Sequence, residues 1–241
     1  MRSALIIGSA VALGACNISA DAQESEGAGG TGRRDFQVAS FDRVSLAGSH
    51  NVIVTVGGQP SVRAEGDAKQ LERLDIRVED GELKIGTRKT SGISFRRESK
   101  SVTIHVTVPS LSAASLAGSG DLRIDKVEGD RFAAAIAGSG DIEIGAMRVA
   151  AADFKIGGSG GIRATGAAQN SNISVAGSGS LELGALETRR TKVSLAGSGD
   201  VHARATEAAD VSIMGSGDVT MAGPAKCNVS KMGSGDVHCG G

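Results

Sequence analysis

The sequence predicts an all-β protein, a parallel β-helix (solenoid) with about 18–20 residues per turn and a small N-terminal elaboration of hairpin and helix. Gly-Ser-Gly recurs seven times from Gly118 to Gly233, at successive intervals of 20, 20, 19, 20, 18 and 18 residues. Apolar residues alternate with polar ones on both sides of each copy. The chain has 36 Gly and five Phe but no Trp or Tyr, which favours a thin core of small aliphatic side chains.

Each period is expected to hold two short strands. Positions four and two before the first Gly, and four and six after it, are mostly apolar, as Leu116 and Leu122 are. The Gly-Ser-Gly corner joins the two strands, and a looser second corner is expected near residues 128–129 or 145–146. Stacked hairpins would also show alternating apolar and polar residues, but they would not need identical corners at a constant period. Coiling places equivalent residues about 4.8 Å apart.

The first 15 residues are predicted to be a lipoprotein signal peptide. Arg2 precedes an apolar run from Ala4 to Leu13 that is too short to span a bilayer. Leu13-Gly14-Ala15-Cys16 resembles the lipobox of bacterial lipoproteins, which makes Cys16 the predicted lipidation site. The alternative is an ordinary secretory signal cut after residues 20–22. Asn17, rather than Asp, after the Cys favours the outer membrane.

Residues 16–35 are expected to hold the lipidated Cys and a flexible tether, because they carry no hydrophobic period. A single solenoid domain should then cover 36–241, with an irregular part at 36–110 and the regular array at 111–241. Gly48 starts a degenerate eighth corner between two strands in 41–56.

Other elements are predicted within the irregular part. Ser61 to Glu65 can form a strand, and Asp67 can cap a helix that ends near Leu74. The Asp80-Gly81 pair predicts a tight β-hairpin turn. Residues 102–108 alternate as a strand, and the basic segment 87–100 before them is interpreted as a solvated excursion rather than a phosphate or lipid-headgroup site.

Stacking of the corners would align two columns of polar side chains. The glycines supply positions where positive φ costs little, and the serines are expected to hydrogen-bond between turns. The aspartates are expected to accept backbone N–H bonds of their own turns, which would offset their mutual repulsion. The predicted structural columns contain Ser119, Asp121, Ser139, Asp141, Ser198, Asp200, Ser216, Asp218, Ser234 and Asp236.

A calcium ladder is the alternative role for the aspartate column, because repeated Gly and Asp bind calcium in repeat-in-toxin proteins. Gly161 and Ser180 interrupt the column, and the nine-residue period of those proteins is absent. We therefore predict no metal site and no cofactor.

Cys227 and Cys239 are 12 residues apart in the last turn. In an exported chain, two cysteines besides the lipidated one are predicted to pair as a disulfide. A zinc site would need more ligands than His238 provides.

No catalytic residues are predicted, and the chain is not expected to be an enzyme. Some parallel β-helices act on polysaccharides, but catalysis requires perturbed carboxylates in a cleft built by long loops, and the regular array has almost no insertions. Each histidine is interpreted as a solvated strand residue: His50, His105, His202 and His238.

Four local motifs carry a resemblance to a known family. Phe41-Asp42-Arg43-Val44, Asp80-Gly81-Glu82-Leu83-Lys84-Ile85 and Val106-Thr107-Val108-Pro109-Ser110-Leu111 accompany the array of Ala-Gly-Ser-Gly-Asp corners. Together they resemble the bacterial head GIN domain family, a domain of unknown function also called "putative auto-transporter adhesin". The resemblance covers roughly 36–241 and implies a β-helical fold without catalytic residues.

These observations predict an exported, membrane-anchored solenoid that acts as a non-catalytic binding or adhesion-like module of the bacterial cell envelope. Its partners would be the membrane, through the lipid, and an unidentified envelope or surface protein or glycan. The formal net charge of -1 does not favour nucleic acid. A self-associating envelope scaffold is the first alternative, and a glycan-active enzyme is the second.

Overall fold

The computed structural model describes residues 30–88 and 102–240. The signal peptide, Cys16, most of the tether and the basic segment from Lys89 onward lie outside this part of the chain. The N-terminal elements are β1 (Thr31–Phe36), β2 (Arg43–Gly48), β3 (Asn51–Val56), β4 (Ser61–Asp67), α1 (Ala68–Arg73), β5 (Leu74–Glu79), β6 (Glu82–Thr87), β7 (Thr103–Val108) and β8 (Ala113–Gly118). The strands of the regular array are β9 (Asp121–Gly138), β10 (Asp141–Gly158), β11 (Gly161–Gly177), β12 (Ser180–Gly197), β13 (Asp200–Gly215), β14 (Val219–Ala222), β15 (Lys226–Gly233) and β16 (Val237–Cys239).

The strands of the array stack in parallel as a β-solenoid of about six turns, which confirms the predicted fold class. Equivalent corner glycines are register partners, as Gly118 is of Gly138. Between corners, however, β9 to β13 each run unbroken for 16–18 residues instead of forming two short strands. The second corner is a bend within one strand, and the pairing slips there, for example between Ile144 and Met147.

The first turn of the coil is inserted between two turns that follow each other in the chain. Gly48 of β2 pairs with Gly118 of β8, so the degenerate corner is a true member of the stack. On the other side of the same turn, β6 pairs with β2 and β7 pairs with β3, all in parallel. The chain thus forms this turn first, and later places one turn on each side of it.

Antiparallel strands cap this end of the solenoid. β4 pairs with β7, and β1 pairs with β4. The tether prediction was therefore too long, because Thr31 to Asp35 already belong to β1. In α1, Asp67 Oδ1 accepts hydrogen bonds from the backbone N–H of Lys69 and Gln70, at 3.1 and 3.2 Å, which confirms the predicted cap. The β5–β6 hairpin turns at Asp80 and Gly81, both with positive φ, as the sequence predicts.

The core runs along the inside of the coil. The predicted inward positions are buried, as Leu116, Leu122 and Ile124 show. The second bend adds a third side to this core, which the sequence analysis did not predict and which includes the fully buried Phe132. The residues buried there are Val127, Phe132, Met147, Val149, Ala152, Ala168, Ser171, Leu186, Thr188, Thr191, Ala205 and Ala209.

Three of these buried residues carry hydroxyl groups, and each hydroxyl has a partner. Ser171 Oγ lies 2.8 Å from Thr191 Oγ1, and Thr188 Oγ1 lies 2.6 Å from the same atom. Thr188 also donates to the carbonyl oxygen of Arg204. Because every hydroxyl is bonded, this cluster replaces larger apolar side chains without leaving an unpaired buried group.

The two glycines of each corner have different roles. The first has positive φ, 146° at Gly138, and its carbonyl oxygen accepts hydrogen bonds from the next corner. Ser139 and Gly140 donate their backbone N–H groups to the carbonyl oxygen of Gly118, at 2.9 and 3.1 Å. The second glycine lacks positive φ, contrary to the expectation for both, but a Cβ at Gly140 would overlap the carbonyl oxygen of Gly120.

We expect Gly140→Ala to lower the free energy of unfolding by about 2–4 kcal/mol, because the new methyl group must push two turns apart. The measurement is urea unfolding followed by circular dichroism. Gly184→Ala is the matched control, since a Cβ at Gly184 meets no atom within 4 Å. Equal stability of the two variants would contradict the steric role of the second glycine.

Candidate binding surface

The serines of the corners face solvent. Ser119, Ser139, Ser198, Ser216 and Ser234 are all exposed. Among the residues that the structure describes, no side-chain hydrogen bond involves their hydroxyl groups, so the predicted hydroxyl ladder is wrong. The bonds between corners are made by backbone N–H groups, which are closer to the preceding turn than the outward-pointing hydroxyls.

Two aspartates of the second column accept N–H bonds from the next turn rather than from their own. Asp141 Oδ1 accepts the N–H of Gly161 at 2.7 Å, and Asp218 Oδ1 accepts the N–H of Asp236 at 2.8 Å. The predicted source was wrong because the N–H groups of each corner already bond to the preceding glycine carbonyl. For the chain between 30 and 240, outside the gap at 89–101, no cluster of three or more His, Cys, Asp or Glu residues is arranged to hold a metal ion.

The interruption of the aspartate column opens a groove on the outer side of the solenoid. Gly161 lies between Asp141 and Ser180 in the stack and contributes no side chain. The resulting space has a volume of about 200 Å³. We call it the Gly161 groove; its polar walls are formed by Asp121, Asp141 and Ser180 on one side and by Arg123, Glu143, Arg163 and Glu182 on the other.

The charges along the groove are only partly paired. Arg123 Nε lies 3.4 Å from Glu143 Oε2. In the described part of the chain, Arg163 forms no ion pair, although it lies between Glu143 and Glu182 in the stack. The groove therefore presents guanidinium donors beside carboxylate acceptors, a combination that recognises polar groups through charge-assisted hydrogen bonds.

The histidines are placed differently from one another. His105, His202 and His238 are exposed, as expected, but His50 is buried, and its Nε2 lies 2.9 Å from Thr87 Oγ1. His50 takes the position of the second corner glycine. Its ring lies against the end of β6, of which Thr87 is the last residue. Burial lowers the pKa of His50.

The C-terminal end of the solenoid is closed by two features. A disulfide joins Cys227 and Cys239, whose Cα atoms are 6.4 Å apart. Lys231 occupies the inward column that Ile213 fills one turn earlier, and its ammonium group lies 3.4 Å from Asp236. A cation at an inward position opposes the stacking of a further strand.

The family profile described as "putative auto-transporter adhesin, head GIN domain" matches residues 40–225. The chain belongs to this family. This head GIN domain comprises all the corners except the last, at Gly233. No functionally curated protein matches the chain in sequence.

Solved structures of similar fold cover most of this chain. One from Bacteroides fragilis NCTC 9343, named a "putative adhesin", is 23% identical with a TM-score of 0.79 and covers 88% of this chain and 97% of its own. One from Parabacteroides distasonis ATCC 8503, named a "putative lipid binding protein", is 24% identical with a TM-score of 0.71, covering 87% and 96%. A "putative adhesin" from Parabacteroides merdae ATCC 43184 is 16% identical with a TM-score of 0.67, covering 88% and 97%. At these identities the likeness shows the fold.

Across 30–88 and 102–240, no helix combines the length and apolar character that a bilayer crossing requires.

Because burial lowers the pKa of His50 below its value of 6.5 in an unfolded chain, protonation favours unfolding. The contribution to stability is fully present above pH 6.5 and is lost as the pH falls toward the folded pKa. We expect the urea midpoint of the native protein to fall more between pH 7.5 and 5.0 than that of His50→Gln. All other ionisable groups are common to both proteins, so an equal fall in both would exclude the effect.

Proposed function

We propose that this head GIN domain is an exported, lipid-anchored binding module with an adhesion-like role in the bacterial cell envelope. The main support for the proposal is the Gly161 groove, where a glycine stands in the column that contains Asp141 in the adjacent turn. The family description and the names of the similar structures support an adhesive role. The proposal assigns no catalysis to the chain.

The groove suits one polar unit of a larger ligand. Its volume is about 200 Å³. This is below the 300–1,000 Å³ typical of pockets that enclose drug-sized molecules. Donors of Arg163 and acceptors of Glu182 and Asp141 can bond a hydroxyl-rich group such as a sugar, or a polar side chain. The ligand is therefore a surface glycan or protein that presents such a unit.

The described walls favour binding over glycan cleavage. A glycoside hydrolase needs one carboxyl group with a raised pKa beside a second, ionised one. Here Glu143 pairs with Arg123, and Asp141 accepts an N–H bond from Gly161, so both carboxyl groups already have partners within the wall. The walls instead hold fixed charges that orient a ligand.

The two ends of the solenoid do not favour the alternative function, a scaffold in which copies of the chain associate end to end. Lys231 and the disulfide close the C-terminal end. At the other end, the edge strand β5 carries Arg77, which pairs with Asp75 and Glu79. Charged edges of this kind prevent a second sheet from adding its strands.

The proposed anchor is a lipid on Cys16, with the outer membrane as the destination. We expect labelled palmitate to enter the native protein and not the Cys16→Ala variant, and detergent to be needed to extract only the native protein. Attachment by acyl chains requires more than one chain for stable anchoring, as lipoproteins provide. Equal labelling of both proteins would refute the anchor, while leaving the groove untouched.

Ligand binding is tested by filling the groove. Gly161→Asp restores the aspartate column and occupies the space, and the Asp141 side chain that it meets can move aside. We expect the lipid-free chain from residue 17 onward to bind envelope glycans on an array or a protein from envelope fractions. Gly161→Asp should weaken this binding at least tenfold.

Gly184→Asp is the matched control for this experiment. It adds the same carboxylate on the outside of the solenoid, where a Cβ has open space, and outside the groove. Binding should therefore be unchanged. An equal loss in both variants would point to charge repulsion alone, and full binding by Gly161→Asp would move the ligand site elsewhere.

A further inference from the structure

One outer side of the solenoid carries little charge in two of its three columns. It consists of the outward residues one, three and five positions before the first glycine of each corner, and we call it the serine–alanine face. The residues one position before that glycine are all apolar or Gly and all exposed: Ala47, Ala117, Ala137, Gly157, Ala176, Ala196, Met214 and Met232. The residues three positions before it are Ser45, Ser115, Ala135, Lys155, Ser174, Ser194, Ser212 and Ser230.

This composition differs from that of the opposite face. Charged residues make up 22% of the chain, yet in the eight strands that end at a corner glycine these two columns contain a single charge in sixteen positions, Lys155. The column of Ser45 continues to Lys84 in β6. The column after the corner contains five aspartates, from Asp121 to Asp236. Met214 and Met232 on the serine–alanine face remain 61% and 68% exposed. Depletion of charge together with exposed Met is typical of the central part of a protein interface.

We propose that two copies of the chain associate through their serine–alanine faces as a closed dimer, with a two-fold axis parallel to the strands. The available area fits this partner. Eight stacked strands at about 4.8 Å extend about 34 Å, and three columns at about 6.8 Å give a width of about 20 Å with their side chains. Each copy would bury about 700 Å², and the total of about 1,400 Å² lies within the 1,200–2,000 Å² of stable interfaces.

The sizes of the side chains favour this axis. A two-fold axis parallel to the strands reverses the order of the turns and keeps each column opposite itself. The bulky Met214 and Met232 of one copy then lie over Ala117 and Ala47 of the other. Near the axis, where the sheets come closest, Gly157 faces Ala176. The two large residues thus meet small ones at each end of the contact, and small residues meet each other at its centre.

The charges at the margin are also complementary. The residues five positions before the corner glycine are Arg43, Ala113, Ala133, Asp153, Asn172, Lys192, Asp210 and Asn228. The reversed order places Lys192 of one copy within one turn of Asp153 of the other, and Arg43 within one turn of Asp210. Lys155, near the axis, can extend its ammonium group to Asp153 of the other copy. An axis along the solenoid would instead place the apolar column over these charges.

The test is sedimentation equilibrium of the lipid-free chain from residue 17 onward, which contains every described residue, between 1 and 200 µM. We expect a monomer–dimer equilibrium. Met214→Lys with Met232→Lys should weaken dimerisation at least tenfold without loss of secondary structure, since both side chains are exposed. Ile53→Lys is the matched control, because Ile53 is also an exposed apolar residue, 38% exposed, but lies on the opposite face. It should leave dimerisation unchanged.

The register is tested by cross-linking. Ala117→Cys combined with Met214→Cys should yield a covalent dimer on oxidation, whereas Ile53→Cys should not. A monomer at every concentration would overturn the proposal, as would open polymers or a dimer sensitive only to Ile53→Lys. Monomers that instead bind neutral phosphatidylcholine vesicles through the two Met would assign the face to a lipid surface. None of these outcomes depends on the Gly161 groove, which is lined by residues that follow the Gly-Ser-Gly corners, whereas the serine–alanine face consists of residues that precede them.

Discussion

The structure depends on one backbone contact, repeated at every corner. The carbonyl oxygen of the first glycine in one turn accepts N–H bonds from the serine and, at most corners, the second glycine of the next. This contact is possible only if the second glycine has no Cβ, because the carbonyl oxygen of the equivalent residue in the preceding turn occupies that position. The contact holds successive turns in register, so that every later position along the strand falls into a column.

Columns convert local sequence into extended surfaces. Since each position repeats about every 4.8 Å, one preference, maintained turn after turn, becomes a line of aspartates or of alanines. A departure from that preference is equally visible. Gly161 leaves a gap because the residues on both sides of it in the stack, Asp141 and Ser180, still hold their places. A similar departure, Lys231, converts an inward column into a closed end.

Much of this was available from the sequence. The Gly-Ser-Gly motif and the alternation of apolar and polar residues around it identify the solenoid and most of the core, because both depend on positions fixed relative to the glycines. The second bend was not predictable in detail, because the register of strand pairing shifts there. Its buried side chains also differ in kind, from the aromatic Phe132 to the polar Thr191. The insertion of the first turn between two later ones was also hidden, although the degenerate corner at Gly48 indicated that it belongs to the stack. Local spacing cannot specify the order in which turns are laid down.

The ends and the sides of the coil differ in how they meet a partner. An open strand edge offers unpaired backbone groups to any similar edge, so it selects weakly and can continue indefinitely. Lys231, the disulfide and the ion pairs around Arg77 oppose that mode at the described ends. A lateral face has its backbone groups already bonded within the sheet, and only its side chains can select a partner. Selective contacts of this molecule must therefore form through its sides, where the Gly161 groove provides fixed charges and the serine–alanine face provides close approach.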